Sequence, residues 1–347
     1  MSDSQRYIRQ TQFGPIGTEG QRRVMTADVA VVGCGALGSV AAEILARSGV
    51  GRIRLIDRDV VEWSNLQRQS LYDEQDAHEG RAKADAATAR LAQINRSIEY
   101  VAEVVDVTSS NIASLLDGCD LVIDASDNFI LRFLINDWSL RTATPWVHGG
   151  CVGATGQVRL FTGAGKPCFR CYVSDAPPAT AIQTCDTAGV IAPATHVIAS
   201  LQAGESLKWL SGNRDAVARQ MLSLDLWANR TRRIDPDPRA IAACVACAGG
   251  KLEYLEGDKS TDIDRTQTLC GREAVQIAAV QSGQGVDLNK FAERWNGVGR
   301  VQRTKFFTRL FPDDCHSLTM FRDGRVVVTG TDQISVARTM YDRYVGG

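Results

Sequence analysis

The chain has 347 residues, 44% hydrophobic and 23% charged, a composition that fits one large globular α/β domain and a smaller second one. A formal net charge of −1 gives no bulk attraction to nucleic acid or an anionic membrane, residues 1–6 lack an apolar signal core, and no run reaches the ~18 apolar residues of a membrane helix. The expected compartment is the cytoplasm, where the ten cysteines stay reduced and Cys-x-x-Cys spacing points to metal or catalysis before disulfides.

Arg6-Tyr7-Ile8-Arg9-Gln10 opens the chain and by itself reads as a solvated arm; residues 18–25 then read as a short helix. Val29-Ala30-Val31-Val32 is an apolar run suited to a buried parallel strand. It runs into Gly33-Cys34-Gly35-Ala36-Leu37-Gly38 and a helical stripe at Leu37, Val40, Ala41, Ile44 and Leu45, which Gly49 and Gly51 end. Residues 52–56 are a second strand, with Asp57 at its carboxyl end. Strand, glycine turn, helix, strand and acid in register make a nucleotide-binding βαβ unit. Gly33, Gly35 and Gly38 let a phosphate approach the backbone, the helix N-terminus offers free N–H groups, and Asp57 stands where a carboxylate can hold ribose hydroxyls. The motif leaves the nucleotide open. The next stretch, Arg58-Asp59-Val60-Val61-Glu62-Trp63-Ser64-Asn65-Leu66-Gln67-Arg68-Gln69, sets polar groups just after the ribose acid, which suits a triphosphate better than a nicotinamide. A Rossmann dehydrogenase is the alternative from another class.

Lys83 falls in the first turn of a helix beginning near 80–83, where a cation opposes the helix dipole unless it faces an anion. Strands are expected at 98–102 and 121–124. The second ends in Asp124-Ala125-Ser126-Asp127-Asn128, at the carboxyl end of a strand, where ligands of open α/β sheets bind. Asp127 or Asn128 could equally cap the helix over 129–142, and Arg132, one turn on, could contact phosphate or pair with Asp127. Residues 146–150 form a strand running into glycines, with His148 expected to be structural, and 155–162 an antiparallel strand. Cys168-Phe169-Arg170-Cys171 and Cys244-Val245-Ala246-Cys247 have knuckle spacing, and together they read as a closed, structural Cys₄ zinc site. Between them, Cys185 lies beside a loop rich in alanine and proline, open to two readings: a nucleophile or a small buried hydrophobe. Residues 195–210 read as a helix, 221–227 and 231–234 as strands, and 251–264 as a linker after an adenylation-sized domain over 1–250. A small α+β domain over 265–347 would hold strands at 266–270 and 301–310, a hairpin over 318–330 turning at Asp323-Gly324, a helix or turn at 271–280, and helices at 287–295 and 333–344.

The succession GxGxxG, then DxDxVxxSNLxRQ over 57–69, resembles the ThiF/MoeB/HesA family, bacterial relatives of the ubiquitin-activating enzymes, over roughly residues 6–250. The resemblance implies a Rossmann-like mixed sheet and an ATP-dependent adenylyltransferase acting with Mg²⁺ as a homodimer. Its substrate would be the C-terminal Gly-Gly carboxylate of a ubiquitin-like sulfur-carrier protein, activated to an acyl-adenylate before a sulfur donor such as a persulfide protein makes a thiocarboxylate. Adenylation of a peptide, small-molecule or tRNA carboxylate stays open within the family. The resemblance also assigns roles. Arg9 would reach the partner subunit's ATP site; Asp57, Asp59, Asn65, Arg68, Gln69, Lys83 and Asn128 would line the nucleotide site; Asp127 would hold Mg²⁺; and Cys185 would pass on the activated group. The same two cysteine pairs occur in many members.

Overall fold

A computed structural model describes residues 3–176, 188–257, 266–268, 273–277 and 285–346. The chain divides into two compact units, 1–260 and 261–347. Cys185 lies outside the described residues.

The first unit is built on an eight-stranded sheet. In chain order its strands are β1 (Asp28–Val32), β2 (Arg52–Ile56), β3 (Glu99–Glu103), β4 (Leu121–Asp124), β5 (Trp146–Val152), β6 (Thr155–Phe161), β7 (Met221–Asp225) and β8 (Arg230–Ile234). Their spatial order is β3-β2-β1-β4-β5-β6-β7-β8. The first five are parallel, and β5 to β8 continue as an antiparallel meander. Order reverses between β1 and β4, so a crevice opens at their carboxyl ends.

Alternation along the strands sorts the two faces. Ala30, Val32, Ile56, Val122, Trp146, Phe161 and Met221 point to a core shared with Phe133, Leu134 and Trp138 of the helix Phe129–Thr142. The opposite face packs on the helices Ala36–Ser48 and Ala192–Leu210. Contact there is close enough that a Cβ at Gly149 would collide with Gln202, and one at Gly156 with Ile198. Gln202 is fully buried and donates from Nε2 to the carbonyls of Asp124 (2.7 Å) and Val147 (3.2 Å), bracing the ends of β4 and β5. Residues read from sequence as the start of a linker belong to this unit. The turn Glu253–Glu256 packs on Phe129–Thr142, and Tyr254 is buried with its ring stacked on Phe133 at 4.7 Å.

The second unit is an antiparallel sheet, β11-β12-β13-β14-β10-β9, of β9 (Thr266–Thr268), β10 (Ala274–Ile277), β11 (Arg300–Arg303), β12 (Phe307–Phe311), β13 (Ser317–Phe321) and β14 (Val326–Thr329). The helices Leu288–Arg294 and Ile334–Tyr344 complete its core around Trp295, Leu310, Leu318 and Val328. Two expectations are corrected. Residues 271–280 hold a strand, not a helix or turn, because Ala274–Ile277 is drawn into pairing with β14. Residues 301–310 are not one strand but a hairpin. The Thr304 hydroxyl accepts the N–H groups of Phe306 (3.2 Å) and Phe307 (3.0 Å) and so makes the turn without glycine or proline.

Candidate functional site

The glycine turn has a division of labour. Gly33 takes φ +91°, and a Cβ there would lie 2.8 Å from the Ala125 carbonyl oxygen, so the close approach of the β1 and β4 ends requires glycine. A Cβ on Gly38 would collide with the Gly33 carbonyl, so the helix can start directly behind the strand only with glycine there. Gly35 is different. Its φ is −78°, and its nearest neighbour would be Gln69 Nε2 at 3.8 Å. No part of the described protein fills the space above it, at the N-terminus of a 13-residue helix. Gln69 is buried beside this space, and its Oε1 has no hydrogen bond among the described residues.

Asp57 extends from β2 and accepts the N–H groups of Cys34 (2.7 Å) and Asp59 (2.7 Å), tying the glycine turn to the loop beyond β2. Burial raises its carboxyl above the usual range, opposed by the Lys83 ammonium. Lys83 is buried at the first position of the helix Lys83–Ile94. Its Nζ stands 3.2 Å from Asp59 Oδ2, and its N–H donates to the Asp59 carbonyl at 2.9 Å. Asp59 thus supplies the anion that the helix position demands. Tyr72 closes the arrangement from behind, donating to the Cys34 carbonyl at 2.7 Å.

Between these groups runs the 3₁₀ turn Trp63–Asn65. Asn65 is buried and organises the turn itself: its Oδ1 accepts Glu62 N–H at 3.1 Å, and its Nδ2 donates to Ser64 Oγ at 3.4 Å. Arg68 is half-buried, with Nη1 donating to the Ser64 carbonyl at 2.8 Å. At the end of β4, Asn128 caps the helix Phe129–Thr142 by accepting Ile130 N–H at 2.9 Å. Asp127 is exposed and accepts no hydrogen bond among the described residues. Across from it lies Arg58, a cation the motif reading passed over. Burial works against its charge, but Asp106 (3.0 Å), Asp59 and Asp127 together hold the guanidinium above its ordinary range. Its signal in the sequence was its place between the two acids of Asp57-Arg58-Asp59.

Arg132 does not pair with Asp127. It donates from Nη2 to the Ser126 carbonyl (2.7 Å) and stands 3.6 Å from Asp124, which is fully buried. Asp124 also accepts from Ser126 Oγ (2.6 Å) and meets His148 Nδ1 at 3.0 Å.

The structure therefore brings together Gly33, Gly35, Gly38, Asp57, Asp59, Gln69 and Lys83, with Asp127 and Asn128 at the neighbouring strand end. It does not bring Arg9 there. Tyr7 packs beneath Gly49 and accepts from Asn95 Nδ2 at 2.8 Å, and Gln10 donates to the Ser48 carbonyl at 3.0 Å. The segment is therefore pinned, not a loose arm, at the far end of the helix Ala36–Ser48, roughly 20 Å from the glycine turn. Arg9 itself is exposed, and among the described residues its side chain bonds only Gln12.

The four cysteines of the two knuckles converge, with all sulfurs within 4.8 Å of one another, Cys168–Cys244 at 3.6 Å and Cys171–Cys247 at 3.5 Å. A tetrahedron with metal–sulfur bonds of about 2.3 Å has edges of about 3.8 Å, so the set fits zinc. Phe169 N–H bonded to Asn136 at 2.9 Å and Arg170 bonded to Glu253 at 2.8 Å fix the first knuckle. Burial pushes Cys171 up to about 12 and Cys168 further the same way, while backbone N–H groups of Cys247 and Ala246 hold Cys244 down against burial. A metal would displace those protons on binding. Among the described residues no helix is long and apolar enough to cross a membrane.

These features define a nucleotide-binding α/β protein with an appended four-cysteine cluster. The chain belongs to the ThiF family, whose model matches residues 7–245. It is 36% identical over 343 residues to the sulfur carrier protein ThiS adenylyltransferase of Bacillus subtilis (strain 168), covering 98% of this chain and 99% of that one. It is 32% identical over 299 residues to the adenylyltransferase and sulfurtransferase MOCS3 of Anopheles gambiae, covering 85% of this chain and 66% of that relative's length. Among solved structures, E. coli MccB with MccA-N7isoASN superposes with a TM-score of 0.61 at 22% identity, over 72% of this chain and 75% of that one. That likeness shows the fold. Family membership replaces the dehydrogenase alternative.

Proposed function

We propose that this ThiF-family adenylyltransferase activates the C-terminal Gly-Gly carboxylate of a ubiquitin-like sulfur-carrier protein with Mg·ATP. The observation that carries the reading is the pairing of open space over Gly35 with buried Lys83 in the first turn of the adjoining helix. A phosphate chain is the ligand that would use both a free helix N-terminus and that ammonium. The ThiS adenylyltransferase of B. subtilis, alike over nearly the whole of both chains, supports the choice of carrier.

A carboxylate oxygen of the tail attacks the α-phosphorus. The bond from that phosphorus to the oxygen bridging it to the β-phosphorus breaks, and pyrophosphate leaves with the electron pair. The nucleophile is already ionised, so catalysis rests on positioning and charge neutralisation. Lys83 and Arg68 would neutralise phosphate charge, and Arg58 would add a third cation at the mouth. Asp57 would receive the ribose. Asp127 fits Mg²⁺, since this ion takes one or two carboxylates together with substrate phosphates. Arg9, pinned away from its own glycine turn, would serve the site of a second copy, which makes the homodimer part of the proposal. The outer sulfur of a persulfide-bearing donor would then displace AMP to give an acyl disulfide, and a second thiol, with Cys185 the candidate, would attack the donor's inner sulfur, forming a new disulfide with the donor and releasing the thiocarboxylate. The four knuckle cysteines would hold a structural zinc.

The test is ATP–pyrophosphate exchange with the purified protein, with and without a ThiS-type carrier ending in Gly-Gly. Exchange that depends on the carrier is the expected result. ATP binding without exchange for any Gly-Gly carrier would move the substrate to a small-molecule, peptide or tRNA carboxylate.

A further inference from the structure

His148 and Arg132 are buried polar residues that the nucleotide site does not use. Asp124 and His148 are direct partners on β4 and β5, so their side chains share one face. Asp124 receives His148 Nδ1 at 3.0 Å, and as a carboxylate it can only accept, which places the proton on Nδ1 and a lone pair on Nε2. Burial lowers the imidazole below its ordinary value, opposed by the Asp124 hydrogen bond, so the ring stays neutral near pH 7. His148 Nε2 makes no hydrogen bond among the described residues.

Two residues further along β5, Gly150 stands on the same side. A Cβ built there would lie 3.6 Å from His148 Nε2 and 3.7 Å from Arg132 Nη2. One acceptor and one charged donor thus converge on a single point that glycine leaves clear of the described residues. Arg132 Nη2 is anchored to the Ser126 carbonyl, next to Asp127, so this point adjoins the end of the nucleotide crevice. An acceptor beside a cationic donor complements a peptide N–H followed by a carboxylate, and the missing side chain leaves room for a backbone.

We infer that His148, Arg132 and Gly150 form the subsite that reads the last residue of the carrier tail, His148 Nε2 accepting its N–H and Arg132 facing its carboxylate. The inference rests on the adenylation reading and adds specificity-determining residues to it. The subsite favours glycine as the terminal residue, because a backbone must lie flat against Gly150.

The experiment measures exchange against the concentration of a Gly-Gly ThiS-type carrier, and ATP binding separately by calorimetry. For Gly150→Ala the new methyl makes only ordinary contacts with the protein, so the melting temperature and ATP affinity stay near wild type while the carrier KM rises about tenfold or more. A semisynthetic carrier ending in N-methylglycine lacks the terminal N–H. It should lose about tenfold with the wild-type enzyme and nothing further with His148→Ala. An unchanged carrier KM in Gly150→Ala, or an equal N-methyl loss with and without His148, overturns the subsite. Those results, obtained where the wild-type enzyme does exchange with the carrier, leave adenylation standing; no carrier-dependent exchange overturns both.

Discussion

Substituting Gly35 separates binding from folding in a way the other two glycines of the turn do not permit. The residue has a negative φ of −78°, unlike Gly33, and the nearest atom to its Cβ is 3.8 Å away. Gly35 is the N-cap of the helix Ala36–Ser48, where alanine is somewhat worse than glycine. Reduced freedom of the unfolded chain offsets this by about 0.4–1 kcal/mol. The net effect on stability is therefore within about 1 kcal/mol, or a few degrees of melting temperature. A phosphate oxygen bonded to the turn's N–H groups must come within about 3 Å of nitrogen, and a methyl at this point holds it off. Losing one or two hydrogen bonds to a charged group costs about 1.5–3 kcal/mol each, so ATP affinity should fall by roughly two orders of magnitude. Calorimetric titration with ATP and a thermal melt on the same preparation decide it. Gly38→Ala is the contrast: its Cβ would collide with the Gly33 carbonyl, so it should unfold at markedly lower temperature. Wild-type ATP affinity in a well-folded Gly35→Ala protein would refute the phosphate cradle.

Lys83→Met keeps the apolar stem but removes the charge 3.2 Å from Asp59; exchange should drop about 10–100-fold, and an unchanged rate would remove Lys83 from the phosphate site. Asp127→Asn should raise the Mg²⁺ concentration needed for half-maximal exchange at least several-fold while leaving the melt alone, since Asp127 is exposed; an unshifted magnesium curve would move the ion elsewhere. Metal analysis should find one zinc per chain, lost in Cys244→Ser, with destabilisation on the order of 10 kcal/mol; a metal-free protein with an unchanged melt would count against the cluster. Burial holds Asp137 up at about 6, against a reference value of 3.8. A raised carboxyl stabilises the fold fully below about pH 4, and that contribution is lost as pH rises through about 6. The difference is at most on the order of 3 kcal/mol. Asp137→Asn should flatten stability between pH 4 and 7, and a profile with the wild-type slope would contradict the assignment.

Local pattern made much of the first unit legible. The strand–glycine–helix–strand–acid succession is contiguous over some 30 residues, and the helix Phe129–Thr142 has the bounds its cap and periodicity predict. Groups whose partners come from afar were not legible. His148 meets Asp124 only because β4 and β5 pair in parallel across a helix of 14 residues. The same pairing draws Arg132 to Asp124 in place of Asp127. Asn65 reads as a ligand from its motif, yet its side chain holds the turn, a competition between local capping and display that composition does not reveal. In the second unit the Thr304 turn escaped because its signal is one hydroxyl, and β10 because four residues carry too little period.

The cysteine cluster joins knuckles separated by 72 residues, a span that includes the helix Ala192–Leu210 and the two strands at one edge of the sheet, β7 and β8. Closing a loop of that length removes chain entropy equivalent to about 4 kcal/mol if the clip acts as a covalent cross-link does. It also sets an order in time. During synthesis the first two sulfurs emerge long before the last two, and no nascent or prematurely ended chain that stops short of Cys247 can complete the set. Metal capture by this set would therefore mark chains whose whole sheet has been made.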